Sequence, residues 1–290
     1  MTVAAAERPW LAFALVTTAF WGVWGALIEL PEKAGFPATL GYSVWALTMI
    51  PCAAIALRVS RARISADARA MRLGALVGLL GAGGQLVLFE ALRAGPAYLV
   101  FPIVSLYPIL TILLSLVLLH ERATRRQWIG IGLALPAIGL LSYAPPEETA
   151  AGGAAWLAAA LGVFVMWGVQ AYAMKLATGV MAVESLFGYM AAAAVLLIPG
   201  AVLMTDFQRT INWGLRGAWL ATAVHLLNSI GALTLVYALR HGKAIIVVPL
   251  TALAPVITIV LSLTLYGRMP LGPQAAGIAL AVGAMYCMAE

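Results

Sequence analysis

Long apolar segments alternate with short polar connections along the chain. A helix that crosses a bilayer needs about 20 mostly apolar residues, and ten segments of this 290-residue chain satisfy that requirement. They lie, to within a few residues, at 10–30, 37–57, 71–92, 96–119, 127–144, 154–176, 183–204, 214–239, 243–266 and 271–289. Most connections are too short to hold a soluble domain. The pattern predicts an all-α membrane protein with ten transmembrane helices.

Composition agrees with this prediction. Hydrophobic residues make up 63% of the chain and charged residues only 10%, whereas soluble domains carry roughly 25% charged residues. The formal net charge of +6 fits basic loops on the cytoplasmic face better than nucleic-acid binding. A cleaved signal peptide is disfavoured because the first apolar run is long and further spans follow it. Cys52 and Cys287 lie in apolar runs, so we expect small buried side chains rather than a disulfide or a metal site.

The distribution of Lys and Arg predicts the orientation. With the N-terminus inside, the cytoplasmic set is Arg8, Arg58, Arg61, Arg63, Arg69, Arg72, Arg122, Arg125, Arg126, Lys175, Arg240 and Lys243, and the outer set is Lys33, Arg93, Arg209, Arg216 and Arg268. Cytoplasmic loops carry the excess of these residues. Both termini are therefore predicted to be cytoplasmic.

An internal repeat connects the two halves. The stretch 89–119 recurs as 236–266 at an offset of 147, and the sequence FWGV at 20–23 recurs as MWGV at 166–169 at an offset of 146. In the first pair of stretches, nine residues are identical at aligned positions. They are Ala91, Leu92, Arg93, Gly95, Ala97, Pro102, Pro108, Thr111 and Ser115, which align with Ala238, Leu239, Arg240, Gly242, Ala244, Pro249, Pro255, Thr258 and Ser262. The predicted units are residues 9–144 and 152–289. Each unit holds five spans, and because five is odd the second unit enters the membrane from the opposite side.

Inverted repeats are typical of secondary transporters, in which the substrate site lies near the bilayer midplane at the interface of the repeats. Two inverted copies provide two similar gates, one facing each way, and so permit alternating access. The alternative interpretation is a duplicated membrane scaffold without transport.

The repeated unit resembles a known family. A helix ending in A-L-R-x-G, a next helix with two spaced prolines, then L-S-L-x-L, a polar turn and a Gly-rich last helix occur at 91–143 and 238–289. This is similar to the EamA unit of the drug/metabolite transporter superfamily, and most like its YddG-type exporters of aromatic amino acids and methionine. His120-Glu121-Arg122 fits the unit, whereas Gly267-Arg268-Met269 departs from it. The resemblance implies export of small metabolites across a bacterial inner membrane without ATP. It also implies a central cavity lined by the first, third, fourth, sixth, eighth and ninth helices.

Polar residues within apolar spans are candidates for the substrate site, because burying them in a bilayer is expensive. The repeat aligns His225 with Gly78 and Asn228 with Gly81, and Gln85 lies on the same helical stripe. A glycine-lined packing face is the alternative for this stripe. In the first and sixth helices, mid-span aromatic residues suit an amphipathic solute, although lipid contact or core packing remains open. The predicted substrate-binding residues are Trp21, Trp24, Gln85, Tyr98, Trp167, Gln170, His225 and Asn228.

Paired prolines predict gating hinges, since proline removes a backbone hydrogen bond and bends a helix. They are Pro102, Pro108, Pro249 and Pro255, which occupy equivalent helices of the two repeats; a static bend is the alternative. Glu90 is either a proton or amine site or half of a local pair with Arg93. Glu29, Lys175 and Glu184 lie near span ends, where we expect interfacial charges.

The few full charges within the spans favour a neutral or zwitterionic solute, most simply an amino acid. An exporter of drugs or other metabolites of the same superfamily is the alternative. A membrane enzyme is disfavoured, because neither H-E-x-x-H nor G-x-S-x-G occurs. We expect no cofactor, no metal site, no nucleic acid and no ATPase subunit. The expected partners are a small-molecule substrate and membrane lipid, and the chain is compatible with a monomer.

Overall fold

The computed structural model describes residues 9–143, 155–267 and 269–289, with the side chains of all of these except Ala97 and Tyr98. These ranges contain α-helices, one π-helical turn at Leu215–Trp219 and no β-strand. The first half holds α1 (Pro9–Leu27), α2 (Glu29–Lys33), α3 (Ala38–Ser60), α4 (Ala68–Ala94), α5 (Ala97–Ser105), α6 (Tyr107–Val117) and α7 (Arg125–Leu141). The second half holds α8 (Ala155–Thr178), α9 (Val183–Leu196), α10 (Ile198–Leu203), α11 (Leu220–His241), α12 (Ala244–Thr251), α13 (Pro255–Tyr266) and α14 (Gly272–Ala289).

Nine helical segments within the described ranges are long and apolar enough to cross a membrane. The remaining predicted span is the fifth, 127–144, which corresponds to α7; its 17 residues extend about 26 Å, slightly less than the roughly 30 Å of a typical hydrocarbon core. It packs along α14, which has 18 residues. The predicted all-helical fold of two five-helix repeats is confirmed. The predicted boundaries at residues 144 and 152 lie outside the described residues.

Two helix starts follow directly from the sequence. The Asp67 side chain accepts hydrogen bonds from the backbone N–H groups of Arg69 and Ala70, so α4 begins after an acidic cap. Thr124 and Gln127 form a reciprocal capping box at the start of α7. These caps satisfy helix-end donors at the ends of the polar loops.

The fourth and ninth spans are each interrupted between their two prolines. The fourth span breaks at Leu106, between α5 and α6, and the ninth breaks at 252–254, between α12 and α13. Tightened bonds replace the helical ladder at both breaks, from Leu106 N–H to the Ile103 carbonyl (3.4 Å) and from Ala254 N–H to the Thr251 carbonyl (3.2 Å). The sequence predicts bends at these prolines, and both bends lie at equivalent places.

Helix packing follows the repeat symmetry. Helix α1 packs on α11, and its counterpart α8 packs on α4. Likewise α3 packs on α11 while α9 packs on α4, and α1 contacts α13 while α8 contacts α6. The repeats therefore exchange equivalent contacts across their interface. We call the membrane side at which α1 begins the N-terminal face, and the other side the opposite face.

Candidate functional site

Three predicted site residues lie at the middle of their spans. Trp21 is the central residue of the 25-residue span Pro9–Lys33, and Asn228 is the central residue of the 27-residue span Leu215–His241. Trp167 is one of the two central residues of Ala155–Thr178. The aligned position Gly81 is the centre of Ala68–Ala94. Four helices from both repeats thus place these positions at the same depth.

Two equivalent hydrogen bonds join the repeats at this depth. The indole Nε1–H of Trp21 donates to the backbone carbonyl of Asn228 at 3.3 Å. The indole Nε1–H of Trp167 donates to the backbone carbonyl of Gly81, also at 3.3 Å. The two donors are repeat equivalents and so are the two acceptors, so the same contact forms twice across the interface, once with each repeat as the donor. The two tryptophans are partly buried, and their N–H groups are satisfied by backbone rather than left for a solute.

Glycines make room for these indoles. A Cβ atom at Gly231 would lie 2.5 Å from Cδ1 of Trp21, and one at Gly84 would lie 2.5 Å from Nε1 of Trp167. Gly231 and Gly84 are again repeat equivalents. Small residues at helix interfaces let neighbouring helices approach closely. Gly231 and Gly84 therefore give the two indoles room and fix their position, while the choice between a cavity and a packing face for the stripe of His225, Asn228 and Gln85 stays a prediction.

A second equivalent pair lies one residue further along. The Thr258 hydroxyl donates to the Gly22 carbonyl at 2.9 Å, and the Thr111 hydroxyl donates to the Gly168 carbonyl at 3.0 Å. These bonds tie the first and sixth spans to the ninth and fourth. Sequence reasoning did not assign the threonines a role, although their identity in the repeat alignment was the signal that could have found them.

The contact between Trp24 and His225 has no counterpart, because the equivalent positions hold Gln170 and Gly78. The rings of Trp24 and His225 are 6.3 Å apart between centroids, and His225 is 7% exposed. The His225 Nδ1 and the Trp24 Nε1 are buried without a hydrogen-bond partner among the described residues. Nε1 of Trp45, on the adjacent α3, is also buried without a hydrogen-bond partner among the described residues. Sequence reasoning missed Trp45, and nothing in its local pattern distinguishes it from other membrane tryptophans.

Three side-chain amides also make no hydrogen bond within the part of the chain that the structure describes. They belong to Gln85, Gln170 and Asn228, all partly buried. The Gln170 amide lies over Gly81, where a larger residue would collide with it. Gln170 is the repeat equivalent of Trp24, so an amide in one half replaces an indole in the other. These free donors and acceptors can bind a polar solute group.

The structure gathers the predicted residues into two sets. Trp21, Trp24, His225 and Asn228 meet where α1 packs on α11. Trp167 and Gln170 meet α4, and Tyr107 stacks edge-on against Trp167 with centroids 6.1 Å apart. Convergence of the two sets on one central cavity stays a prediction. Tyr98 has a helical backbone in α5, but its side chain lies outside the described part.

Charges surround the site only at a distance. No Asp, Glu, Lys or Arg occurs within seven residues of the middle of any of the nine spans, which leaves a charge-free layer extending about 10 Å from each centre. Within the described residues, no group of three His, Cys, Asp or Glu side chains could hold a metal ion. The centre of the bundle is thus polar but uncharged.

The charged residues near the span ends make specific contacts within the described part of the chain. Glu90 forms a two-bonded ion pair with Arg93, at 2.8 and 2.5 Å; its role as a proton or amine site stays a prediction. Glu184 lies in the first turn of α9, where it is 7% exposed and accepts a hydrogen bond from the Tyr237 hydroxyl at 2.5 Å; its interfacial position stays a prediction. Lys175 is half-buried and donates to backbone carbonyls. Packing of α9 on α11 covers Glu184 in a way that hydropathy does not reveal.

Comparison with known proteins gives three findings. Residues 8–143 and 154–289 each match the EamA-like transporter family. An uncharacterized protein of Methanocaldococcus jannaschii is 34% identical over 100 residues, which cover 34% of this chain and 67% of that protein. A solved crystal structure of a protein superposes with a TM-score of 0.77 at 21% identity, covering 96% of this chain and 98% of the other. At that identity the structural likeness shows the fold alone.

The fold defines a multi-pass membrane protein of two inverted five-helix repeats that meet through equivalent mid-span contacts. The two family matches, one for each repeat, establish its membership: the chain belongs to the EamA-like transporter family, within the drug/metabolite transporter superfamily. It is therefore a membrane transporter of small metabolites.

Proposed function

We propose that this transporter exports small neutral or zwitterionic metabolites, chiefly amino acids such as aromatic amino acids and methionine, by alternating access. The observation that carries the proposal is the polar, charge-free layer at mid-span. A solute with a fixed net charge would find no countercharge there, whereas free amides and buried aromatic rings suit a solute with an apolar body and a polar end.

Each candidate residue has a stated role in this proposal. We assign Trp21, Trp24, Trp167 and Tyr98 to the apolar part of the solute. Gln85, Gln170, His225 and Asn228 bind its polar end. Binding is expected to be weak, with Kd on the order of 10⁻⁴–10⁻³ M, because a carrier must also release its solute. Glu90 is a candidate proton site at the opposite face.

The orientation is part of the proposal. The N-terminal face carries the Lys and Arg excess, including the five arginines between residues 58 and 72, so we assign it to the cytoplasm of a bacterial inner membrane. The gates work at the broken fourth and ninth spans, with Pro102, Pro108, Pro249 and Pro255 as hinges. The carrier needs no cofactor and no ATPase subunit, and one chain contains the whole path.

Flux measurements with purified protein in liposomes test the substrate class. Liposomes loaded with unlabelled methionine should accumulate radiolabelled methionine by exchange, and phenylalanine and tryptophan should compete. Protein-free liposomes and liposomes with Asn228→Ala are the controls. If the liposomes exchange other metabolites or drugs but amino acids are neither exchanged nor compete, the amino-acid proposal is wrong. The broader alternative within the same superfamily then holds.

A further inference from the structure

The two ends of the bundle are packed unequally. All eight residues of α12, the part of the ninth span at the N-terminal face, are buried. Its repeat equivalent, α5, forms the part of the fourth span at the opposite face. Ile246 and Val248 are 3% and 1% exposed, whereas their equivalents Leu99 and Phe101 are 40% and 43% exposed. Repeat symmetry is therefore broken in the packing: protein encloses the ninth span at the N-terminal face, but not the equivalent part of the fourth span at the opposite face.

Charged side chains fasten the connection between α11 and α12 at the N-terminal face. The Lys175 ammonium, from α8, donates to the carbonyls of Leu239 (2.8 Å) and Gly242 (2.6 Å) at the end of α11. The Glu121 carboxylate, from the loop between α6 and α7, accepts from the N–H groups of Ala244 (3.1 Å) and Ile245 (2.9 Å).

Both charges complement the helix ends that they touch. A cation at a helix C-terminus and an anion at a helix N-terminus are each favoured by the helix dipole and by unsatisfied backbone groups. Hydrogen bonds to charged groups are also stronger than those between neutral groups. A further bond runs from the Lys243 ammonium to the Arg122 carbonyl at 2.6 Å. The connection is thus held from α8 and from the other repeat.

The equivalent positions at the opposite face carry the reverse charges. Lys175 corresponds to Glu29 at the offset of 146, and Glu121 corresponds to Arg268 at the offset of 147. A carboxylate cannot donate to helix-end carbonyls, and a guanidinium cannot accept from backbone N–H groups. The same fastening therefore cannot form when the opposite face closes. Glu29 instead pairs with Lys33 on its own helix.

We propose that Glu121 and Lys175 form a latch that keeps the carrier closed at the N-terminal face and open at the opposite face in the absence of solute. They are positioning residues, because they act on the α11–α12 connection and not on the solute. Opening the N-terminal face moves α12 away and breaks the four bonds of the latch. The latch thus sets the equilibrium between two conformations of the carrier, one closed at the N-terminal face and one closed at the opposite face.

A matched pair of cysteine reporters tests the latch. Phe101→Cys and Val248→Cys occupy equivalent positions at the two ends, and each is placed in protein whose Cys52 and Cys287 are changed to alanine. Reaction with a membrane-impermeant maleimide is measured for both reporters in detergent and in liposomes. In the parent, Phe101→Cys should react and Val248→Cys should be protected.

Lys175→Met and Glu121→Gln should each raise the reaction rate at Val248→Cys about tenfold or more, the effect of losing bonds to a charged group, and should lower the rate at Phe101→Cys. Lys175→Arg retains donors and should restore much of the parent pattern. Arg69→Met removes an exposed charge on the same face and should change neither rate. The measurement needs no solute, so it is independent of the proposed substrate.

Three results would overturn the latch. A higher reaction rate at Val248→Cys without a lower rate at Phe101→Cys would mean local fraying rather than a change of the whole carrier's conformation. Unchanged rates in both latch variants would mean that the bonds do not set the equilibrium. An unreactive Phe101→Cys in the parent would mean that the opposite face is not open.

Discussion

Trp21 donates its indole hydrogen bond to the carbonyl of Asn228 at the exact middle of two spans from different repeats. The side-chain amide of Asn228 stays without a partner among the described residues. One residue thus joins the repeats through its backbone and offers its side chain to a solute. In the equivalent bond, between Trp167 and Gly81, the acceptor residue has no side chain, and the nearby amide comes from Gln170 instead. Duplication supplies the scaffold, and divergence of single positions supplies the polar groups.

The glycines beneath the indoles should be intolerant of any side chain. We expect Gly231→Ala and Gly84→Ala to lower stability by roughly 1–3 kcal/mol, since overpacking displaces the tryptophans. Gly132→Ala is the matched control, because a Cβ there meets nothing within 4 Å and alanine favours helix by about 1 kcal/mol. Thermal unfolding of the purified variants in detergent measures the difference. Equal midpoints for Gly231→Ala and Gly132→Ala would show that the indole contact is loose.

The site residues should separate selectivity from general affinity. Trp167→Ala should weaken exchange of bulky amino acids relative to small ones, because it removes an aromatic wall. Asn228→Ala should weaken binding of all of them by about tenfold, the effect of roughly 1.4 kcal/mol, because it removes a polar contact common to every amino acid. Competition curves in liposomes give both values. An Asn228→Ala variant that loses only some amino acids would contradict the assigned role.

Hydropathy and the repeat were enough to predict the spans, their inversion and the mid-span position of the tryptophans. They could not show that the tryptophan N–H groups bond to backbone, because the direction of a side chain depends on the helix packed against it. The burial of Glu184 was hidden for the same reason: the sequence places it at the start of a span, and only the structure shows that it packs against Tyr237 of α11. The latch likewise depends on contacts between residues more than 60 positions apart.

The topology gives a direct test of orientation. A reporter that is active only in the cytoplasm should be active when fused after Ser65 and inactive when fused after Gln208, because those connections follow an even and an odd number of spans. A reporter that is active only outside should give the reverse pattern. Activity of one reporter at both sites would contradict the inverted arrangement in the membrane, and an exchanged pattern would contradict the cytoplasmic assignment of the N-terminal face.

The broken spans should govern the rate of transport. Pro102→Ala and Pro249→Ala each restore a backbone donor inside α5 and α12, next to the break in the span, and remove a ring that bends the helix, which stiffens the segment that has to move. We expect each variant to insert normally and to exchange solute roughly tenfold more slowly, the effect of about 1.4 kcal/mol on the barrier to gate movement. Pro136→Ala is the control, since this proline lies inside α7 without an equivalent in the repeat. Initial rates with matched protein density measure the effect. If both hinge variants exchange solute at the parent rate, the prolines only shape the helices and do not act as hinges. If Pro136→Ala slows exchange equally, the cause is general destabilisation instead of gating.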